Sequence, residues 1–172
     1  MIDADVVAVL VDQHTRIRDL FTAVETGEGD ERATAFARLV RLLALHEAAE
    51  EVVVHPAARG VEGGDAVVED RLGEEQQARE LLARLGELGP DHPEFADGLA
   101  GLRQAVLEHA NHEESYEFRY LRSHYDTTEL ADMAALVRAA ERVAPHAAPG
   151  EVDPALFDRV GEAVRESLLR RR

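Results

Sequence analysis

An all-α fold, an antiparallel up-down four-helix bundle with additional C-terminal helices, is what this 172-residue sequence predicts. Three observations carry that expectation. Alanine, leucine, glutamate and arginine dominate while Phe, Trp and Tyr together make up 5% of the chain, a composition that favours helix over sheet. Apolar residues recur every three or four positions along four long stretches. The breaks between these stretches are short and rich in Gly and Pro, so successive helices are expected to run antiparallel.

The first stripe runs through Val7, Leu10, His14, Ile17, Phe21 and Val24, and Gly27-Glu28-Gly29 ends it, with Asp30 a plausible N-cap for the next helix. The second runs through Phe36, Leu39, Leu43, His46, Glu50 and Val53, and is expected to stop at Pro56 and the glycines beyond it. The third takes Val68, Leu72, Glu75, Ala78, Leu82 and Leu85. After Gly89-Pro90-Asp91-His92-Pro93 the fourth takes Phe95, Leu99, Leu102, Val106, His109, Glu113, Tyr116 and Tyr120. Residues 1–125 thus form the bundle, and 126–172 form a helical extension packed on it or on a partner. Its second helix is expected to start at Asp153-Pro154, an N-cap followed by proline at the first helical position.

A formal charge of −16 opposes contact with phosphate backbones and anionic lipid, so neither nucleic acid nor membrane is an expected partner. The absence of cysteine excludes disulfides, thiolate metal sites and iron–sulfur clusters. No basic-then-apolar leader and no run of membrane-spanning length is present, and a soluble cytoplasmic protein is expected.

Polar residues interrupt the apolar stripes in a pattern. His46 and Glu50 are four apart, as are His109 and Glu113, so each pair projects from one helix face and can grip one ion. A lone core histidine is more often hydrogen-bonded than ligating, and a lone His-x-x-x-Glu is more often a surface pair. Here only two of eight histidines have Glu four residues on, and both lie in apolar stripes. Residues 12–59 also align weakly with 73–122, setting His46 against His109, Glu50 against Glu113 and His14 against Glu75. Each half then offers one group from its first helix and a His-x-x-x-Glu pair from its second.

Three buried carboxylates need compensation, which two divalent ions and a bridging hydroxide would supply. Nitrogen and oxygen donors without sulfur suit iron or manganese, and zinc less specifically. A small rotation of the third helix would turn Glu74 inward instead of Glu75. Glu51 and Glu114 face outward or support the ligands. His55, nine residues after His46, falls half a helical circle away and reads as a surface residue, as do His92, His112, His124 and His146. Tyr116 and Tyr120 read as core, with Tyr116 within reach of the cluster.

His14, His46-x-x-x-Glu50 and His109-x-x-x-Glu113, in this order on four helices, resemble the hemerythrin-like (HHE cation-binding) family over about residues 5–125. The resemblance implies a non-heme di-iron centre, oxo- or hydroxo-bridged, with His14, His46, Glu50, His109 and Glu113 as ligands and the two glutamates as bridges. It departs from the family at Glu75, where a histidine is usual. The competing ferritin-like group uses Glu-x-x-His, which occurs nowhere here. Expected partners are O2, peroxide or NO in a sensing, detoxifying or oxidase role, or else O2 held reversibly by a non-catalytic metal protein.

Overall fold

The computed structural model describes residues 5–146 and 155–171, and every element among them is helical. Helix α1 (Val6–Thr26) starts at Asp5, whose carboxylate accepts the Ala8 N–H at 2.7 Å. Helix α2 (Gly29–Ala49) comes after a tight turn in which Gly29 takes φ 49°. Asp30 therefore lies inside the first turn of α2 and not at its cap.

The second helix does not stop at Pro56. Glu50–Val54 form a π-helical turn, in which the His55 N–H bonds the Glu50 carbonyl, and the chain continues as α3 (His55–Arg59). The π turn already interrupts the α-helical ladder, and Pro56 occupies the first turn of the segment that resumes, where its missing N–H matters least. The turn into α4 (Gly64–Leu88) is built from glycine. Gly63 has φ 81°, and a Cβ on Gly64 would lie 1.8 Å from the Ala58 carbonyl oxygen. That close approach brings α4, with Glu75, beside the end of the second helix.

Helix α5 (Phe95–His112) meets a second π turn, Glu113–Glu117, where the Phe118 N–H bonds the Glu113 carbonyl, before α6 (Phe118–His124). The two π turns are separated along the chain by the same offset as His46 and His109. Each inserts one residue and so rotates the rest of its helix by about 100°. Glu117, Phe118 and Leu121 consequently face the core, while Tyr116 is 60% exposed and Tyr120 only half-buried, against the expectation for both tyrosines.

Helix α1 packs on α2 and α4 on α5, with α5 closing against α1 to complete the bundle. Helices α7 (Thr127–Val143) and α8 (Leu156–Leu169) lie on α1 and α2 respectively. Their Val137, Val160 and Leu168 join one continuous core with Leu10, Phe21, Phe36 and Leu102. Arg41 of α2 donates to the carbonyls of Glu141, Ala144 and Pro145, closing the C-terminal end of α7. The helix start expected at Asp153-Pro154 lies outside the described residues. No described helix is long and apolar enough to cross a membrane.

Candidate metal centre

Four helices deliver the six expected groups to one interior point. His14 comes from α1, His46 from the end of α2, Glu50 from the first residue of its π turn, Glu75 from mid-α4, His109 from α5, and Glu113 from the second π turn. All six are buried, Glu50 and Glu113 completely. Glu75 is the inward residue of its pair, while Glu74 lies at the rim.

The two fully buried glutamates each face both ways. Glu50 turns Oε1 to His46 Nε2 at 3.2 Å and Oε2 to His109 Nε2 at 3.9 Å. Glu113 turns Oε2 to His14 Nε2 at 3.1 Å and Oε1 to His109 Nε2 at 3.4 Å. Donor atoms of His14, His46, Glu50 and Glu113 all lie within 4.8 Å of one another, and so do those of Glu50, Glu75 and His109. Two overlapping donor sets share Glu50. Both Glu50 oxygens, Glu75 Oε2, Glu113 Oε1 and His109 Nε2 are buried without a hydrogen-bond partner. Unpartnered carboxylate oxygens and an imidazole nitrogen clustered this way are what a cation would satisfy, so the donor set fits a metal.

The electrostatics show what the metal-free cluster must balance. Burial pushes Glu50 well above the usual carboxylate range, and the charge of Glu113 adds to it. Burial acts on Glu113 in the same direction, but the charge of His109 and the closeness of the His109, His14 and His46 imidazoles hold it well below. Burial lowers His46 to about 4. It opposes charge on His109 too, yet Glu113, Glu50 and Glu74 raise that imidazole well above 6.5. Glu47, against the donor cluster, is pushed by burial to about 7 even though Arg79 bonds it.

The Hemerythrin HHE cation binding domain family matches residues 5–121. The chain belongs to this family. In the solved structures, a hemerythrin HHE cation binding domain-containing protein from Mycobacterium kansasii superposes with a TM-score of 0.69 at 18% identity, over 97% of this chain and 98% of that one. A curated relative, a DNA nickase from Nostoc sp., is 26% identical over 141 residues. That match takes in 81% of this chain but 40% of the relative, so the chain spans about two fifths of its length.

Around the hemerythrin-type cluster, each imidazole is held from behind. His14 Nδ1 donates to Glu114 at 2.8 Å, His109 Nδ1 to Glu74 at 3.0 Å and His46 Nδ1 to the Gln13 Oε1 at 2.8 Å. Gln13 is fully buried and in turn donates to Glu141 of α7 at 3.0 Å, so the C-terminal helices reach the site through one amide. Glu114 and Glu74 take supporting places, and Glu51 faces outward to Arg165. His112 bonds Glu74 at 2.6 Å from a half-buried position.

His55 contradicts the surface reading. It is 3% exposed, with Nε2 at 2.7 Å from Glu75 Oε1 and Nδ1 at 2.9 Å from Glu117 Oε1. Burial opposes its charge, but Glu117 and Glu75 raise it to about 10. Glu117, fully buried, lies four residues past Glu113, but a stripe continued through Tyr116 and Tyr120 leaves it off the inner face. Both residues come inward because of the π turns, which a fixed helical period does not include. Tyr116, exposed, does not reach the cluster.

Proposed function

We propose that this HHE protein holds two iron ions and reacts with O2, peroxide or NO in a sensing, detoxifying or oxidase role, in a cytoplasmic setting. The observation that carries the reading is the division of Glu50 and Glu113, each with one oxygen toward His14 or His46 and the other toward His109. Carboxylates so disposed suit two ions side by side. Iron, when bound, supplies redox chemistry and a coordination position for a small oxidant. The chain supplies two shared carboxylates, imidazoles fixed by their Nδ1 hydrogen bonds, and Glu75, whose hard oxygen favours the ferric state. A cavity of about 20 Å³ against His14, His46, Glu75 and His109, walled by Ile17, Leu43, Ala78 and Val106, is roughly the size of one water. That size suits a small diatomic better than an organic substrate.

Anaerobic loading with Fe(II), counting iron per chain, then recording optical spectra on adding O2, peroxide or NO tests this. Two irons and a new visible absorption are expected. Iron-loaded protein whose spectrum none of the three alters would overturn it. The small, largely apolar cavity also favours a second reading, O2 held reversibly without turnover, which would appear as absorption that reverses on degassing with no peroxide released. Manganese or zinc in place of iron would leave the site intact, and zinc would leave the spectrum silent toward O2. The nicking activity named for the Nostoc relative belongs to a much longer protein, and the −16 charge here opposes a DNA backbone.

A further inference from the structure

We propose that His55 is a fourth imidazole ligand of the metal centre, oriented by Glu117, and that it belongs to the half of the site that holds His109 and Glu75. The inference rests on the metal reading of the cluster and adds a ligand that the spacing of the sequence places elsewhere.

The first observation is that His55 repeats the arrangement of the other three imidazoles. Each directs Nδ1 at an acceptor: His14 at Glu114, His46 at Gln13, His109 at Glu74 and His55 at Glu117. Each turns Nε2 to an inner glutamate, at 3.1 Å for His14, 3.2 Å for His46, 3.4 Å for His109 and 2.7 Å for His55. A carboxylate only accepts, so Nδ1 keeps its proton, and a metal would take the place of the proton that Nε2 of His55 now shares with Glu75. Ligand atoms about 2.1 Å from one ion stand roughly 3.0–3.4 Å apart, the range of the first three separations, and the shorter His55–Glu75 contact would open slightly around an ion.

The second observation is charge. Among the described residues five glutamates are buried, and with Glu47 paired to Arg79 the remaining four are Glu50, Glu75, Glu113 and Glu117. Four carboxylates balance two divalent cations, provided that the imidazoles are neutral ligands and not counter-ions.

The third observation is the internal repeat. His55 and Phe118 are equivalent residues, each immediately past a π turn. Phe118 stacks on His14, with ring centroids 5.8 Å apart and planes at 14°. His55 bonds Glu75, the repeat equivalent of His14. The second repeat thus sets an apolar ring, Phe118, against the imidazole of the first, and the first sets an imidazole, His55, against the carboxylate of the second. The protein then offers His109, His55 and Glu75 to one ion and only His14 and His46 to the other, besides the shared glutamates. The His14 and His46 half is left with more room for an exogenous molecule.

Zinc, a diamagnetic probe, tests this without turnover. In ¹⁵N-labelled full-length protein, long-range ¹H–¹⁵N correlation of the imidazoles should show Nε2 of His14, His46, His55 and His109 all shifting on zinc loading. Metal analysis of His55→Ala should show one ion per chain where the native protein holds two. Glu117→Gln, which preserves the shape of the side chain, should keep both ions and weaken one by 10–100-fold. If three imidazoles move while His55 does not, or if His55→Ala keeps both ions at native affinity, His55 is not a ligand. The correlation on native protein decides the matter even where His55→Ala fails to fold. If no imidazole moves and no zinc binds, the metal reading itself fails.

Discussion

The two halves of the cluster are built by the same backbone and filled differently. In each, a first helix contributes one inner group and a second helix contributes His-x-x-x-Glu, and the ring set beside the inner group comes from just past the π turn of the other sequence repeat. The half around His14 has an imidazole under Phe118, with Gln13 and Glu114 behind its histidines. The half around Glu75 has a carboxylate beside His55, with Glu74 and Glu117 behind. The difference shows that helical geometry sets where donors converge, whereas the identities at two pairs of equivalent positions, 14 against 75 and 118 against 55, set the chemistry of each half.

The most drastic way to break the comparison is to remove what the halves share. Glu113→Ala or Glu50→Ala should abolish binding of both ions, leaving metal content near zero, whereas His46→Ala should spare the other half. Retention of both ions in Glu113→Ala, measured by elemental analysis, would contradict the shared-carboxylate arrangement.

The next effect separates the halves by pH in metal-free protein. The folded-state value of His55, about 10, lies above its ordinary 6.5, so its stabilising contribution is complete below pH 6.5 and is lost as pH rises through 10. The size is on the order of a few kcal/mol, or several degrees in Tm for a chain of this length. Melting curves should fall from pH 6.5 to 10, and His55→Gln should flatten that decline. Phe118 in the opposite half has no titrating group, so Phe118→Leu should leave the slope alone.

Smaller again are the supports. Gln13→Ala and Glu74→Ala should each weaken one ion by about 10–100-fold, the first on the His46 side and the second on the His109 side, as read by competition with a chelator. Smallest is the pair between Arg165 of α8 and Glu51, both part-exposed at 2.8 Å. Arg165→Ala should lower stability by at most about 1 kcal/mol and leave metal content unchanged.

The all-helical fold is legible in the sequence because each helix keeps its apolar stripe through most of its length. The convergence of His14, His46, Glu50, Glu75, His109 and Glu113 is legible because four-residue spacing survives on any helix. His55, Glu117 and Tyr116 are not, since counting at a fixed 3.6 residues per turn goes out of phase at an inserted residue. The signs are nonetheless present: Pro56 just after His55 is awkward inside an unbroken α-helix, and Phe118 and Leu121 offer a better apolar continuation than Tyr116 and Tyr120. Gln13 is hidden for another reason. Its partner Glu141 is 128 residues away, and a polar residue beside His14 carries no local mark of burial.

The π turns also have a genetic meaning. Each holds one residue more than an α-helical turn, so loss of a single codon between residues 51 and 54 would restore an ordinary helix without removing any histidine or glutamate of the centre. Yet His55 and everything after it would swing by about 100°, carrying an imidazole out of the protein's interior. The length of two short stretches thus determines which residues the centre contains, and two homologues with identical histidines and glutamates but different lengths there would hold different sets.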